Sequence, residues 1–197
     1  MFRVTVGLGL ATMLIAGTGA VVAAPAEAAA GPACYAGLWN LTAMKIVHQG
    51  KTVNSPLSTD VLKGGAGIKL TLSASGATYD FTGSKKVSFK FQSDNTTGWE
   101  QYTGVLKTRA AVTGDRAGRI AVSRTGATGD AKVSTTYTDP YTKGPSESVR
   151  SRLAKGYYDG PLVENATFTC EGASLKMVDK RKHNGWTTVA DLRFTRG

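Results

Sequence analysis

The chain has 197 residues, with 24 Lys and Arg against 14 Asp and Glu, a formal net charge of +10 and a pI near 9.7. That length bounds it to one domain with a core of real size. The basic excess favours an anionic partner (teichoic acid, lipid head groups, nucleic acid or an acidic protein), with plain solubility as the alternative. The basic residues are mostly interspersed and are not interleaved with aromatics, which argues against a surface built to stack bases.

Residues 1–30 read as a secretory signal peptide. Arg3 supplies the positive start, Val4 to Val22 an apolar run, and Ala26-Glu27-Ala28 and Ala28-Ala29-Ala30 the small-x-small cleavage pattern, so cleavage is expected after Ala28 or Ala30. An uncleaved anchor is the competing reading, since the run approaches the roughly 20 residues that span a bilayer. There is no Leu-x-Gly-Cys box, and the rest of the chain has no second long apolar run. Residues 31–197 are therefore expected to form one secreted domain, which keeps the charge of +10 because the signal removes only Arg3 and Glu27.

The domain opens near Cys34, and its partner Cys170 is the other cysteine of the chain. In an oxidising compartment two cysteines are expected to form one disulfide, tying the start of the domain to its end. A catalytic thiol or an intermolecular bridge has no supporting motif, since Cys-x-x-Cys is absent. His48, at the end of the first strand, is expected to be a plain surface residue.

Asn54 to Lys63, followed by Gly64-Gly65, is expected to hold a short helical turn. From there the chain is rich in Thr, Val, Gly and Ser, and period-two alternation recurs. Ile68, Leu70, Leu72 and Ala74 share one face of a strand. So do Val87, Phe89 and Phe91, then Val133, Thr135 and Tyr137, then Ala166, Phe168 and Cys170. Turn signals punctuate these runs at Ser75-Gly76, Thr82-Gly83, Asp94-Asn95, Thr113-Gly114, Gly126, Gly129-Asp130, Gly172 and Asn184-Gly185. Thr125 to Asp130 lacks the lysine of a phosphate loop and is read as a hairpin turn. Asp139 to Ser146, with Pro140, Gly144 and Pro145, is read as a surface loop. Lys180-Arg181-Lys182 and His183 are placed at a solvated hairpin tip closed by Asn184-Gly185. Asp191 and Arg193 share a strand face and are a candidate inward ion pair.

No catalytic constellation stands out. His48 and His183 have no second ligand at metal-binding spacing, so no metal or cofactor is expected. Asp80, Asp115, Asp139, Asp159, Glu164, Asp179 and Asp191 are scattered, and a glycosidase would need two of them brought together across a cleft by folding.

Gly37-Leu38-Trp39 opens the first strand, and Arg193 and Arg196 close the last. With the run Gly64 to Leu72, this resembles the lipocalin or broader calycin pattern, and in particular small exported lipocalin-like proteins of actinobacteria. The resemblance implies a single antiparallel up-and-down β-barrel of roughly 8–10 strands, in which Arg193 or Arg196 packs over Trp39 and closes one end. It implies an interior able to hold a small apolar or amphipathic ligand. Tyr79, Phe81, Phe89 and Phe91 are then candidate cavity-lining residues, with ordinary core packing as their competing role. The expectation is a secreted, monomeric, non-enzymatic binding protein. The alternatives are a basic cell-envelope protein that grips an anionic polymer or an acidic partner, and a hydrolase whose site only folding assembles.

Overall fold

The computed structural model describes residues 33–52, 55–92, 95–138, 141–156, 160–183 and 185–197. The expected export segment, Asn184 and the Asp139-Pro140 pair lie outside them.

Eight strands close into an antiparallel barrel: β1 (Gly37–Thr52), β3 (Lys69–Leu72), β4 (Gly76–Asp80), β7 (Val105–Gly114), β8 (Ala117–Val122), β12 (Asn165–Glu171), β13 (Ser174–His183) and β14 (Trp186–Arg196). In chain order each pairs with the next, and β14 returns to β1. The remaining strands are β2 (Ser55–Gly64), β5 (Val87–Lys90), β6 (Thr97–Thr103), β9 (Thr128–Gly129), β10 (Lys132–Thr138) and β11 (Tyr141–Ser148). They come in three insertions between barrel strands. Five of them extend the sheet from β1 in the order β2, β5, β6, β10, β11, and β9 pairs with β7. The eight barrel strands fall within the roughly 8–10 expected of the barrel, and the insertions, being strands themselves, bring the described residues to 14.

The fork sits on β1, whose first residues pair with β3 and whose later ones, from Lys45, pair with β2. A bulge between Leu41 and Ala43 marks the change. It shifts the buried positions from Trp39 and Leu41 to Met44 and Ile46, as an extra residue must in a strand of period two. The chain between β2 and β3 crosses here. Leu41 receives a bond from Gly67 N–H and gives one to Ile68 C=O. Gly64 has φ +121°, and a Cβ there would stand 2.3 Å from the Lys86 carbonyl, so the crossing requires glycine.

The barrel interior is filled by alternating side chains: Leu70, Leu72, Ala77, Tyr79, Leu106, Ile120, Val122, Ala166, Phe168, Leu175, Met177, Ala190, Leu192 and Phe194. Burial pushes the Tyr79 phenol well above its ordinary pKa. The added sheet packs Leu62, Val87, Phe89, Tyr102 and Val133 with one short helix, α1 (Val149–Lys155), which buries Val149 and Leu153. Ser148 caps its start by accepting from Ser151 N–H, and Gly156 ends it in the left-handed region. Under this helix Arg152 donates to Glu100 at 2.6 Å and to Glu147 at 2.8 Å, and Tyr102 donates to Glu100 at 2.5 Å. Burial alone would lower the Arg152 pKa, but the two carboxylates outweigh it and raise it.

Several local expectations are corrected. The segment read as a helical turn is, from Ser55 onward, β2, held between β1 and β5 with Ser58 and Leu62 buried, so pairing overrides the turn-like Ser and Pro; Asn54 lies outside the described residues. The segment read as a loop is β11 from Tyr141 onward, an edge strand paired only with β10, where Pro145 is tolerated because no neighbour needs its N–H. Thr128 and Gly129 pair with β7 as β9 instead of turning a hairpin.

Candidate ligand site at the barrel mouth

One end of the barrel is closed. Cys34 and Cys170 form the disulfide. Trp39 is fully buried, and its Nε1–H donates to Tyr35 C=O at 2.7 Å. Arg196 lies over it, Cζ 4.3 Å from the ring centroid, and donates to Ala36 C=O at 2.9 Å and Cys34 C=O at 2.7 Å. Arg193 lies on the outer face, as does Asp191, so their 3.4 Å contact is a surface pair and not the inward one anticipated.

The other end opens into a cleft of about 840 Å³. Its walls are the same strands, carried past the apolar core. On β1 the inward series Met44, Ile46 continues to His48. On β14 Leu192, Ala190 continues to Thr188 and Trp186. On β13 Leu175, Met177, Asp179 continues to Arg181 and His183. Glu164 precedes β12 and Arg124 follows β8 in the same phase. The insertions supply the far wall: Asp60 and Leu62 from β2, Phe91 after β5, and Lys155 and Gly156 from the end of α1.

Asp179 lies beneath this lining, fully buried. Its Oδ2 accepts from Glu164 N–H at 2.6 Å, and its Oδ1 stands 3.4 Å from Arg181 Nε. The carboxylate thereby holds an arginine whose side chain is only 15% exposed against the cleft wall. Arg124 Nε donates to Glu164 at 2.6 Å. His48 Nδ1 and Thr188 Oγ1 share a hydrogen bond of 2.7 Å, on neighbouring strands at paired positions. Trp186 lies flat on Gly50, where a Cβ would come within 2.4 Å of the indole. The cleft thus carries four cationic side chains (Arg124, Lys155, Arg181, Lys182), two carboxylates (Asp60, Glu164), and an apolar patch of Leu62, Phe91 and Trp186.

Of the four aromatics proposed from sequence, Phe91 lines the cleft. Tyr79, Phe81 and Phe89 are buried in packing, with Tyr79 stacked on Phe81 and Phe89 on Phe91. His48, expected at the surface, is half-buried in the cleft, and Arg181, expected at a solvated tip, points into it. Among the described residues no group of three His, Cys, Asp or Glu side chains is placed to hold a metal ion. Comparison with protein-family models, curated proteins and solved structures gives no match.

Proposed function

We propose that this protein is an exported, non-enzymatic binding protein that seats a small amphipathic ligand with an anionic group in the barrel mouth. The observation that carries the reading is the cleft itself: about 840 Å³ on a packed barrel, with Arg181 and Lys182 beside Trp186, Phe91 and Leu62. That volume suits one small ligand, and a mostly formed concavity with a few charged groups is the usual build of such sites. The Arg side is positioned by buried or half-buried carboxylates, so a ligand carboxylate would meet preoriented donors. The apolar wall would take its hydrocarbon or aromatic body. The disulfide supports an oxidising location.

Decanoate and decanol separate the two halves of this reading. Decanoate is expected to change the emission of Trp186, a change missing in Trp186→Phe, and to bind at least about tenfold more tightly than decanol. Arg181→Gln with Lys182→Gln should remove most of that difference. Absence of any Trp186-dependent response to either probe would overturn the assignment of the cleft.

A further inference from the structure

The outer face that runs from β13, β14 and β1 onto the added sheet presents a set of lysines that the cleft does not use. β1, β2 and β5 bury Ile46, Leu62, Val87 and Phe89 and turn Lys45, Lys63 and Lys90 to solvent, as does Lys86 just before β5. Lys45 and Lys63 are directly opposite each other across β1 and β2. Like charges at such a position oppose strand pairing. Lys63 pairs in turn with Ser88, and Ser88 with Trp99, whose ring is covered by the Lys86 ammonium at 4.0 Å. One row away, Val189, Val47, Val61 and Lys90 continue the same face, with Lys180 next to Val189 on β13. Among the described residues none of these five lysines has a carboxylate within ion-pair distance. On its other side Lys45 is directly opposite Asp191 of β14, whose carboxylate contacts Lys176 and Arg193 at 3.4 Å each.

We propose that this lysine face, Lys45, Lys63, Lys86, Lys90 and Lys180, binds a linear phosphate polymer that carries no bases. Lys45 and Lys63, directly opposite on neighbouring strands, stand about 5 Å apart at their backbones, and Lys86, Lys90 and Lys180 lie further out on the same face, a spread of point charges on long stems that can follow a repeating polyanion. The face lacks an open stacking platform, since Trp99 is already capped by Lys86, and this disfavours nucleic acid. Apart from Trp99 under Lys86, its apolar residues are valines half-buried within the sheet, which leaves no uncovered bulky side chain to enter a lipid surface. The proposal does not depend on the cleft.

The test uses the full chain and labelled inorganic polyphosphate, with a single-stranded oligonucleotide and phosphatidylglycerol-containing vesicles as parallel arms. Polyphosphate binding is expected to fall about tenfold or more between roughly 50 and 200 mM salt. Lys45→Gln with Lys63→Gln should weaken it at least about fivefold. Lys107→Gln with Arg119→Gln, which removes equal charge from exposed positions on β7 and β8, should change it less than about twofold. Equal losses in the two pairs, no polyphosphate binding at low salt, or tighter binding of the oligonucleotide or vesicles would each overturn the proposal. Thermal midpoints of both variants no lower than that of the parent chain establish that the comparison is between folded proteins.

Discussion

Arg193 and Arg196 stand three positions apart on the last strand, and their surroundings make opposite demands on them. Arg196 has an indole face and two carbonyl acceptors, while Arg193 has one carboxylate at 3.4 Å and is mostly in water. Arg196→Ala is expected to cost about 1–2 kcal/mol, from the lost cation–π contact and the two carbonyls left without their donor. Arg193→Ala should stay within about 0.5 kcal/mol. Urea midpoints of the two variants measure the contrast, and equal midpoints would remove Arg196 from the closure of the barrel end. The choice between the two arginines was legible in the alternation. Ala190, Leu192 and Phe194 are inward, and Arg196 continues that series where Arg193 cannot. The same extrapolation on β1, β13 and β14 leads to His48, Arg181 and Trp186. Chain-local reading missed these because it assigned His48 and the Lys180 to Lys182 cluster by neighbouring residues and not by strand phase.

At the scale of elements, the apolar barrel strands were legible and the inserted ones were not. β3, β5 and β12 announce themselves through burial patterns that alternate without a break. β11 has no buried residue to report it, and β2 carries residues usual in turns. Only their partners, β10 for one and β1 with β5 for the other, make them strands. Two of these junctions carry carboxylates that should be felt in acid. At the end of β4, Asp80 accepts from the Thr82 hydroxyl and from Thr82 N–H, and these bonds hold its pKa below the ordinary value. At the end of β11, the Arg152 guanidinium does the same for Glu147. A folded-state pKa below the unfolded one contributes stability that is complete above the unfolded value, near pH 4, and that is lost as pH falls through the folded value. The thermal midpoint should therefore drop below about pH 4, and by less in Asp80→Asn with Glu147→Gln than in the parent chain. Parallel pH curves for the two proteins would show that these carboxylates contribute nothing through this route.

Across the whole molecule, the two barrel ends are built for different tasks. One end is sealed by the disulfide, by Trp39 under Arg196, and by Cys34 N–H donating to Asp115 at 2.6 Å. At the other end β1 leaves β3 for β2, and the inserted sheet and α1 stand back to form the cleft. The disulfide joins residues 136 positions apart and so constrains most of the domain in its unfolded state. The loop-entropy relation puts the contribution at about 5 kcal/mol as an upper bound. Replacing both cysteines with Ala should lower the guanidinium midpoint by a corresponding amount, while leaving decanoate binding at room temperature within about twofold, provided the chain stays folded. The separation follows from position: the cleft is lined from the ends of β1, β12, β13 and β14 that lie away from Cys170, Trp39 and Arg196, from Arg124 after β8, and from the insertions. A variant that stayed folded but lost both stability and the Trp186 response would mean that the sealed end sets the shape of the open one, through the strands that run the length of the barrel.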